Sequence, residues 1–206
     1  MEAPNRPAGF PRSALLRRWA VPLGIALLCI ALSLGGDIAR ELGRYERVAL
    51  AEGEVWRLVA AHLVHLGAGH VALNLAALGI LVLLFDGVLD GTAWAASAGA
   101  SALAIDAGLY WLAPDVDWYV GLSGVLHGIV AAGSIGLIAA RAPSGYALLL
   151  LVTAKLAWEQ WAGPLPHSEL MSGGPVVVAA HLYGAAGGAV AFVLLAMVRR
   201  HRSPPV

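Results

Sequence analysis

Ser123 stands in the stretch Gly121-Leu122-Ser123-Gly124-Val125-Leu126-His127-Gly128. There a short acidic loop, 113–120, gives way to a long apolar run. A serine on a glycine-flanked turn at a helix start can present its hydroxyl, with free backbone N–H groups nearby to stabilise an anion. The same Gly-Ser-Gly can also simply open a helix with serine as its cap. The octapeptide alone does not choose between a nucleophile and a cap, so its possible partners matter.

Four sets of polar residues interrupt the apolar runs. An ionisable side chain at mid-span costs roughly 2.5–3.5 kcal/mol on insertion scales, so it needs a reason to be there. His70 and Asn74 are i,i+4 and share a helix face, as two donors one turn apart or as interhelical glue. His181 is followed by Gly184 and Gly188, whose missing side chains let another helix approach closely. The run after Ser123 has its own small face: Gly124, Gly128, Ala132 and Gly136. Packing these two faces together brings His181 against Ser123. Lys155 and Glu159 are i,i+4 and can neutralise each other. Glu159 and Gln160 also lie near the outer end of their run, where a substrate contact is possible. His62, His65 and His70 are close enough to raise a metal site. Leu66-Gly67-Ala68-Gly69 divides that group, however, and no carboxylate lies inside it, so no metal and no cofactor is expected.

These residues need elements to position them, and composition says of what kind. The chain has 206 residues, 59% hydrophobic and 13% charged, with zero formal net charge and mean hydropathy +0.75. A soluble domain carries about 25% charged residues. The composition is that of an all-α polytopic membrane protein, surrounded by membrane lipids and without a nucleic-acid signal. Cys29 is the only cysteine, which excludes an intrachain disulfide; it reads as a small buried apolar residue. Residues 1–18 read as a basic tail, and residues 199–206 as a short basic C-terminal tail. Six spans are expected between them, near 19–35, 68–85, 92–112, 123–140, 146–161 and 175–198, forming one catalytic unit over 19–198. Residues 37–57 carry interleaved charges with Ile38, Leu42, Tyr45 and Ala49 at helical spacing, a pattern of an amphipathic surface segment. Residues 56–66 read as a short helix half-sunk in the same interface.

Six spans put both termini on one side. Arg6, Arg12, Arg17, Arg18, Arg141, Arg199, Arg200 and Arg202 fall there, and the positive-inside rule makes it the cytoplasm. Arg40, Arg44, Arg47 and Arg57 face outward against that rule, with acids among them. Ser123, His181, His70 and Asn74 then share one depth in the outer half of the bundle. Together they supply a nucleophile, a base and oxyanion donors, the parts of serine-type acyl transfer. No acidic partner for His181 is evident, so a Ser–His dyad is expected rather than a triad.

Here the chain resembles the rhomboid intramembrane serine proteases. The matching residues are Trp56-Arg57, His65, His70 and Asn74, Gly121-Leu122-Ser123-Gly124, and Ala180-His181 followed by Gly184 and Gly188. The resemblance implies a six-helix rhomboid-like bundle with Ser123 as nucleophile and His181 as general base. It implies that His70, Asn74 and the backbone N–H of Ser123 bind the oxyanion, and that the fifth helix helps gate substrate access. Rhomboids often have a tyrosine one turn after the serine, packed on the catalytic histidine. Here His127 takes that place, as a stacking support or as a second candidate base. Three stretches narrow the resemblance to the rhombosortase branch: Gly121 to Gly128, Lys155 to Gln160, and Ala180 to Gly184. That branch implies a bacterial inner-membrane enzyme with its active site near the periplasmic face. Its substrates are exported proteins bearing a C-terminal sorting tail, which is Gly-rich, then hydrophobic, then basic. Hydrolysis, and transfer to a small lipid-derived amine, are both compatible with the residues.

Overall fold

The computed structural model describes residues 12–202. Helix α1 (Arg12–Leu34) begins inside the segment read as a basic tail. The rest of that tail, and residues 203–206, lie outside the described residues. After α1 the chain turns at Gly35-Gly36, where Gly36 takes φ +57°, a conformation open to glycine without steric cost. Helix α2 (Gly36–Gly43) leaves at 116° to Trp19–Leu34, with Ile38 and Leu42 exposed. The expected surface segment thus turns sharply off the first helix and presents apolar side chains outward.

The segment that follows is not wholly helical. Strand β1 (Tyr45–Glu46) precedes the short helices α3 (Arg47–Ala51) and α4 (Arg57–Ala60). Of the helix expected over 56–66, only α4 forms. Its start is fixed by the Trp56-Arg57 pair. Buried Arg57 donates from Nη1 to the carbonyls of Glu41 (2.8 Å) and Arg44 (2.9 Å), and from Nε to Glu54 (2.6 Å). Trp56 Nε1 donates to the Leu42 carbonyl at 3.1 Å. A guanidinium buried at such a point is tolerated because its donors are met.

The longer helices follow: α5 (Ala68–Leu84), α6 (Gly91–Leu112), α7 (Ser123–Ala139), α8 (Pro143–Ala162) and α10 (Val178–Arg202), with the short α9 (Ser168–Ser172) before the last. Strand β2 (Trp118–Tyr119) lies between α6 and α7 and pairs antiparallel with β1, Tyr45 opposite Tyr119 and Glu46 opposite Trp118. Among the described residues, the two-stranded ribbon is the one sheet in an otherwise helical fold. Helix α6 starts at Asp90, whose carboxylate accepts from Ala93 N–H at 2.8 Å, a side-chain N-cap. Helix α8 starts three residues before the expected span because Pro143 suits the first turn, where no intrahelical N–H is needed. Helix α10 starts three residues later than expected, at Val178.

By length and hydropathy, α10 is the one described helix that meets the requirement for crossing a membrane alone, with mean hydropathy 1.8 over its best window; α1 and α2 meet it only as a bent pair. Helices α5, α6, α7 and α8 lie close to the other expected spans, but none of them meets that requirement alone. Helices α5 and α7 have 17 residues each, about 26 Å of rise against a hydrocarbon core of about 30 Å. Helices α6 and α8 carry Asp106, Lys155, Glu159 and Gln160 within them.

Candidate active site

The site begins with glycines. Helix α10 packs along α7 and α6, and the faces in contact are nearly bare backbone. A side chain at Gly184 would fall on the Gly124 carbonyl, and one at Gly188 on the Gly128 carbonyl. At Gly128 it would meet Ser101 Oγ and, at 2.5 Å, the Gly184 carbonyl. The small faces foreseen on the two helices do interlock, and no larger residue fits there. This approach places Ser123 Oγ at 3.0 Å from His181 Nε2, within hydrogen-bond reach.

The orientation of His181 is fixed on its far side. Its Nδ1 lies 2.9 Å from Glu159 Oε2. A carboxylate can only accept, so Nδ1 carries the proton and Nε2 is left bare to accept from the Ser123 hydroxyl. The expectation that His181 lacks an acidic partner is therefore corrected. The Glu159 side chain is 2% exposed yet lines the same cavity as Ser123, and its other oxygen, Oε1, accepts from Lys155 Nζ at 2.6 Å. The Lys155–Glu159 pairing expected from their spacing is present. Gln160 is exposed and donates to the Val178 carbonyl at 3.2 Å, at the start of α10.

His127 stacks on His181, with ring centroids 4.1 Å apart and an interplanar angle of 18°. Its Nδ1 donates to the Ser123 carbonyl at 2.7 Å. That bond occupies His127 with the backbone of Ser123 while His181 holds the hydroxyl. Of the two candidate bases, His181 has the geometry for the work.

His70 and Asn74 line the same cavity as Ser123 and His181, about 260 Å³ in volume. The Leu66 N–H donates to His70 Nδ1 at 3.3 Å, which leaves the ring proton on Nε2 as a free donor. Asn74 Nδ2 donates to the His70 carbonyl at 3.1 Å. A second, apolar cleft of about 250 Å³ runs between α5 and α7 from Ser123 past Asn74, Ala77, Leu126 and Val130.

The loop before Ser123 is tied down from several directions. Gly121 takes φ +116°, and any side chain there would meet the His70 ring at 2.7 Å. Its N–H donates to the Ala61 carbonyl at 2.8 Å, and its carbonyl accepts from Tyr119 O–H at 2.5 Å. The ribbon β1–β2 holds Tyr119, and behind it His62 Nε2 meets Asp106 Oδ1 at 3.2 Å, with the His62 ring edge-on to Tyr119. His65 is buried edge-on to His70, centroids 5.0 Å apart. Burial first, and His70 second, push the His65 imidazole down to about 4, so it is neutral at pH 7.

The histidines weighed as a metal group are thus divided: His62 goes to Asp106, while His65 and His70 face each other. A different trio, His127, Glu159 and His181, has donor atoms within 4.8 Å of one another. Both Glu159 oxygens there are already hydrogen-bonded, one of them to the Lys155 ammonium, and a second cation beside that ammonium is repelled. The arrangement suits proton handling better than metal ligation.

A hydroxyl within hydrogen-bond reach of an imidazole nitrogen, at the head of a helix inside an apolar bundle, is the arrangement that a serine nucleophile and its base require. Residues 52–198 match the family model of the Rhomboid domain. The chain belongs to the rhomboid family. Its members are integral membrane proteins and serine intramembrane proteases, and the Ser123–His181 hydrogen bond fits the dyad of such an enzyme. No curated protein matches the chain.

Ser123, His181, His70, Asn74 and His127 line one cavity, and Gln160 lies outside its lining. What sequence reasoning missed is Glu159 as the partner of His181. The signal was present: Glu159 sits near the outer end of its helix, at the depth that selected His70 and Asn74. Its i,i+4 lysine made a local explanation look complete.

Proposed function

We propose that this rhomboid is an active intramembrane serine endopeptidase of the rhombosortase kind. It cleaves the C-terminal sorting tail of exported bacterial proteins: a Gly-rich motif, a hydrophobic helix and a basic cluster. It resides in the inner membrane with both termini in the cytoplasm and the site near the periplasmic face. The observation that carries the reading is the 3.0 Å contact between Ser123 Oγ and His181 Nε2. The apolar cleft beside Ser123 supports a hydrophobic, membrane-borne substrate.

The chemistry follows from the proton positions. Ser123 Oγ attacks the scissile carbonyl carbon, forming a C–O bond, and its proton passes to His181 Nε2. The carbonyl π pair moves to oxygen, where His70 Nε2–H, the Asn74 amide and the Ser123 N–H can stabilise it. Collapse of the tetrahedral species breaks the C–N bond, and the leaving amine takes the proton from Nε2. Water, or an amine on a lipid-derived acceptor, then attacks the acyl carbon and gives its proton to His181 Nε2; collapse breaks the acyl C–O bond, and Nε2 returns that proton to Ser123 Oγ.

The test is labelling of purified protein with a fluorophosphonate, together with co-expression of a secreted reporter carrying such a tail. Wild type should be labelled and Ser123→Ala should not. Loss of the tail should require Ser123, and equal labelling of wild type and Ser123→Ala rejects the assignment. Labelling without tail cleavage points instead to a rhomboid protease with other transmembrane substrates. Mass spectrometry of the processed C-terminus separates hydrolysis from transfer.

A further inference from the structure

Glu159 is placed unlike an ordinary interhelical salt-bridge residue. It lies on α8, buried, with both carboxylate oxygens engaged: Oε2 with His181 Nδ1 at 2.9 Å, Oε1 with Lys155 Nζ at 2.6 Å. A lone carboxylate in an apolar bundle is costly, and a paired and fully hydrogen-bonded one is tolerated. If its only task were to neutralise Lys155, nothing would require its second oxygen to face His181. Lys155 is itself 30% exposed and could keep its charge in contact with solvent without a buried partner.

We propose that Glu159 is a positioning residue for His181, and that Lys155 is the counter-charge that sets how strongly it acts. The proposal rests on the serine-protease reading above and extends it from a dyad to a Ser123–His181–Glu159 relay. In the resting enzyme Glu159 selects the tautomer with the proton on Nδ1, which leaves Nε2 bare. When Nε2 takes the Ser123 proton, the imidazolium is stabilised by a carboxylate already in place, which stays ionised throughout. Lys155 draws part of that charge away, which weakens the pull of the carboxylate on the Nδ1 proton. The relay also crosses helices, because α8 carries Glu159 while α10 carries His181 and α7 carries Ser123. A second link between α8 and α10, Gln160 to the Val178 carbonyl, lies next to it. The base is therefore correctly held only while α8 is seated against α10.

The charged and titratable groups facing His181 are His70 from α5, His127 from α7, and Lys155 and Glu159 from α8. Changes confined to α8 leave the two histidines in place, so their effects can be assigned. The readout is the second-order rate of fluorophosphonate labelling of the purified full-length protein, measured from pH 5 to 9. In wild type this rate should fall on the acid side, where an imidazole already carrying a proton on Nε2 cannot accept the one from Ser123. Glu159→Gln keeps the shape and removes the charge. Its plateau rate should fall about 10²-fold, and its acid limb should move to lower pH, because nothing then favours the protonated imidazole. Lys155→Met leaves the carboxylate uncompensated, so its acid limb should move the opposite way, to higher pH. Glu159→Asp should bring the limb back toward its wild-type position. Opposite shifts from two partners of one salt bridge are not produced by a purely structural pair, whose loss lowers stability in both variants and leaves the pH profile in place. A wild-type plateau and profile in Glu159→Gln overturns the proposal. Should that variant not fold, an unmoved acid limb in Lys155→Met does so instead. Failure of Ser123→Ala to abolish labelling sinks the protease reading itself, which is a distinct result.

Discussion

At the scale of single residues, the site separates groups that react from groups that hold them. His70 has its Nδ1 occupied by the Leu66 N–H, which leaves Nε2–H as the donor the proposed oxyanion role needs. Asn74 presents its amide one turn away. Replacing either with alanine should lower turnover of a tail-bearing substrate by roughly 10²–10³ if each is a full oxyanion donor. The apparent affinity should change little, because the interaction develops only in the transition state. Steady-state kinetics in detergent check both, and unchanged turnover removes the residue from the site. His127 is a different case. It offers a face to His181 and an N–H to the Ser123 carbonyl. His127→Phe keeps the face and loses the N–H; His127→Ala loses both. A stacked ring pair contributes up to about 1.5 kcal/mol, about tenfold in rate. If stacking is its role, the alanine variant should fall about tenfold in labelling rate and the phenylalanine variant should stay near wild type. Equal loss in both variants assigns the role to the N–H.

At the scale of elements, the glycine faces between α7 and α10 were legible because absence repeats: Gly124, Gly128 and Gly136 on one helix, Gly184 and Gly188 on the other. A methyl group at Gly184 falls on the Gly124 carbonyl, a backbone atom one residue after Ser123, so relief requires the helices to part. Gly184→Ala should cost about 1–3 kcal/mol of stability and draw His181 off Ser123, lowering Tm and labelling together. Retained labelling at an unchanged Tm would mean that this contact is looser than its backbone geometry implies. The ribbon β1–β2 was not legible. Two-residue strands have no alternation to read, and β1 sits inside a charged segment with helical spacing. Arg47 was equally hidden. It reads as one charge among many, yet its guanidinium donates to the carbonyls of Leu109 (2.7 Å), Tyr110 (2.9 Å) and Ala113 (2.9 Å) at the C-terminus of α6. That end of a helix has carbonyls without intrahelical partners, and its partner here comes from more than sixty residues away. Contacts of this kind depend on tertiary placement, which local pattern does not encode.

At the scale of the whole molecule, the same division explains why Ser123 and His181 could be paired from sequence while Glu159 and His181 were not. Depth in a bundle follows from counting residues along a span, so groups on different helices can be matched in height. Which way each faces around its helix axis is set by packing, and only the glycine stripes expose that in the sequence. Orientation across the membrane rests on charge alone. Arg141 lies at the α7–α8 turn and Arg199, Arg200 and Arg202 at the end of α10, and the orientation proposed above puts that end in the cytoplasm by the positive-inside rule. The opposite end carries Arg40, Arg44, Arg47 and Arg57, but these are not free charges. Arg44 pairs with Glu41 and Glu46, Arg57 with Glu54, and Arg40 with Asp37, while Arg47 is spent on the α6 carbonyls. Arg199 is paired in the same way, with Asp90 at 2.8 Å, and acids count for little in the rule, so pairing does not separate the two ends; the proposed orientation can be tested directly. In a Cys29→Ser background, Glu169→Cys in α9 and Ser144→Cys in the first turn of α8 fall on opposite sides in the proposed orientation, and both positions are exposed. A membrane-impermeant maleimide applied to intact spheroplasts should label Glu169→Cys, and should reach Ser144→Cys only after the membrane is opened. The reverse pattern would place Ser123 at the cytoplasmic face and exclude exported sorting tails as its substrates, while leaving the chemistry of the site untouched.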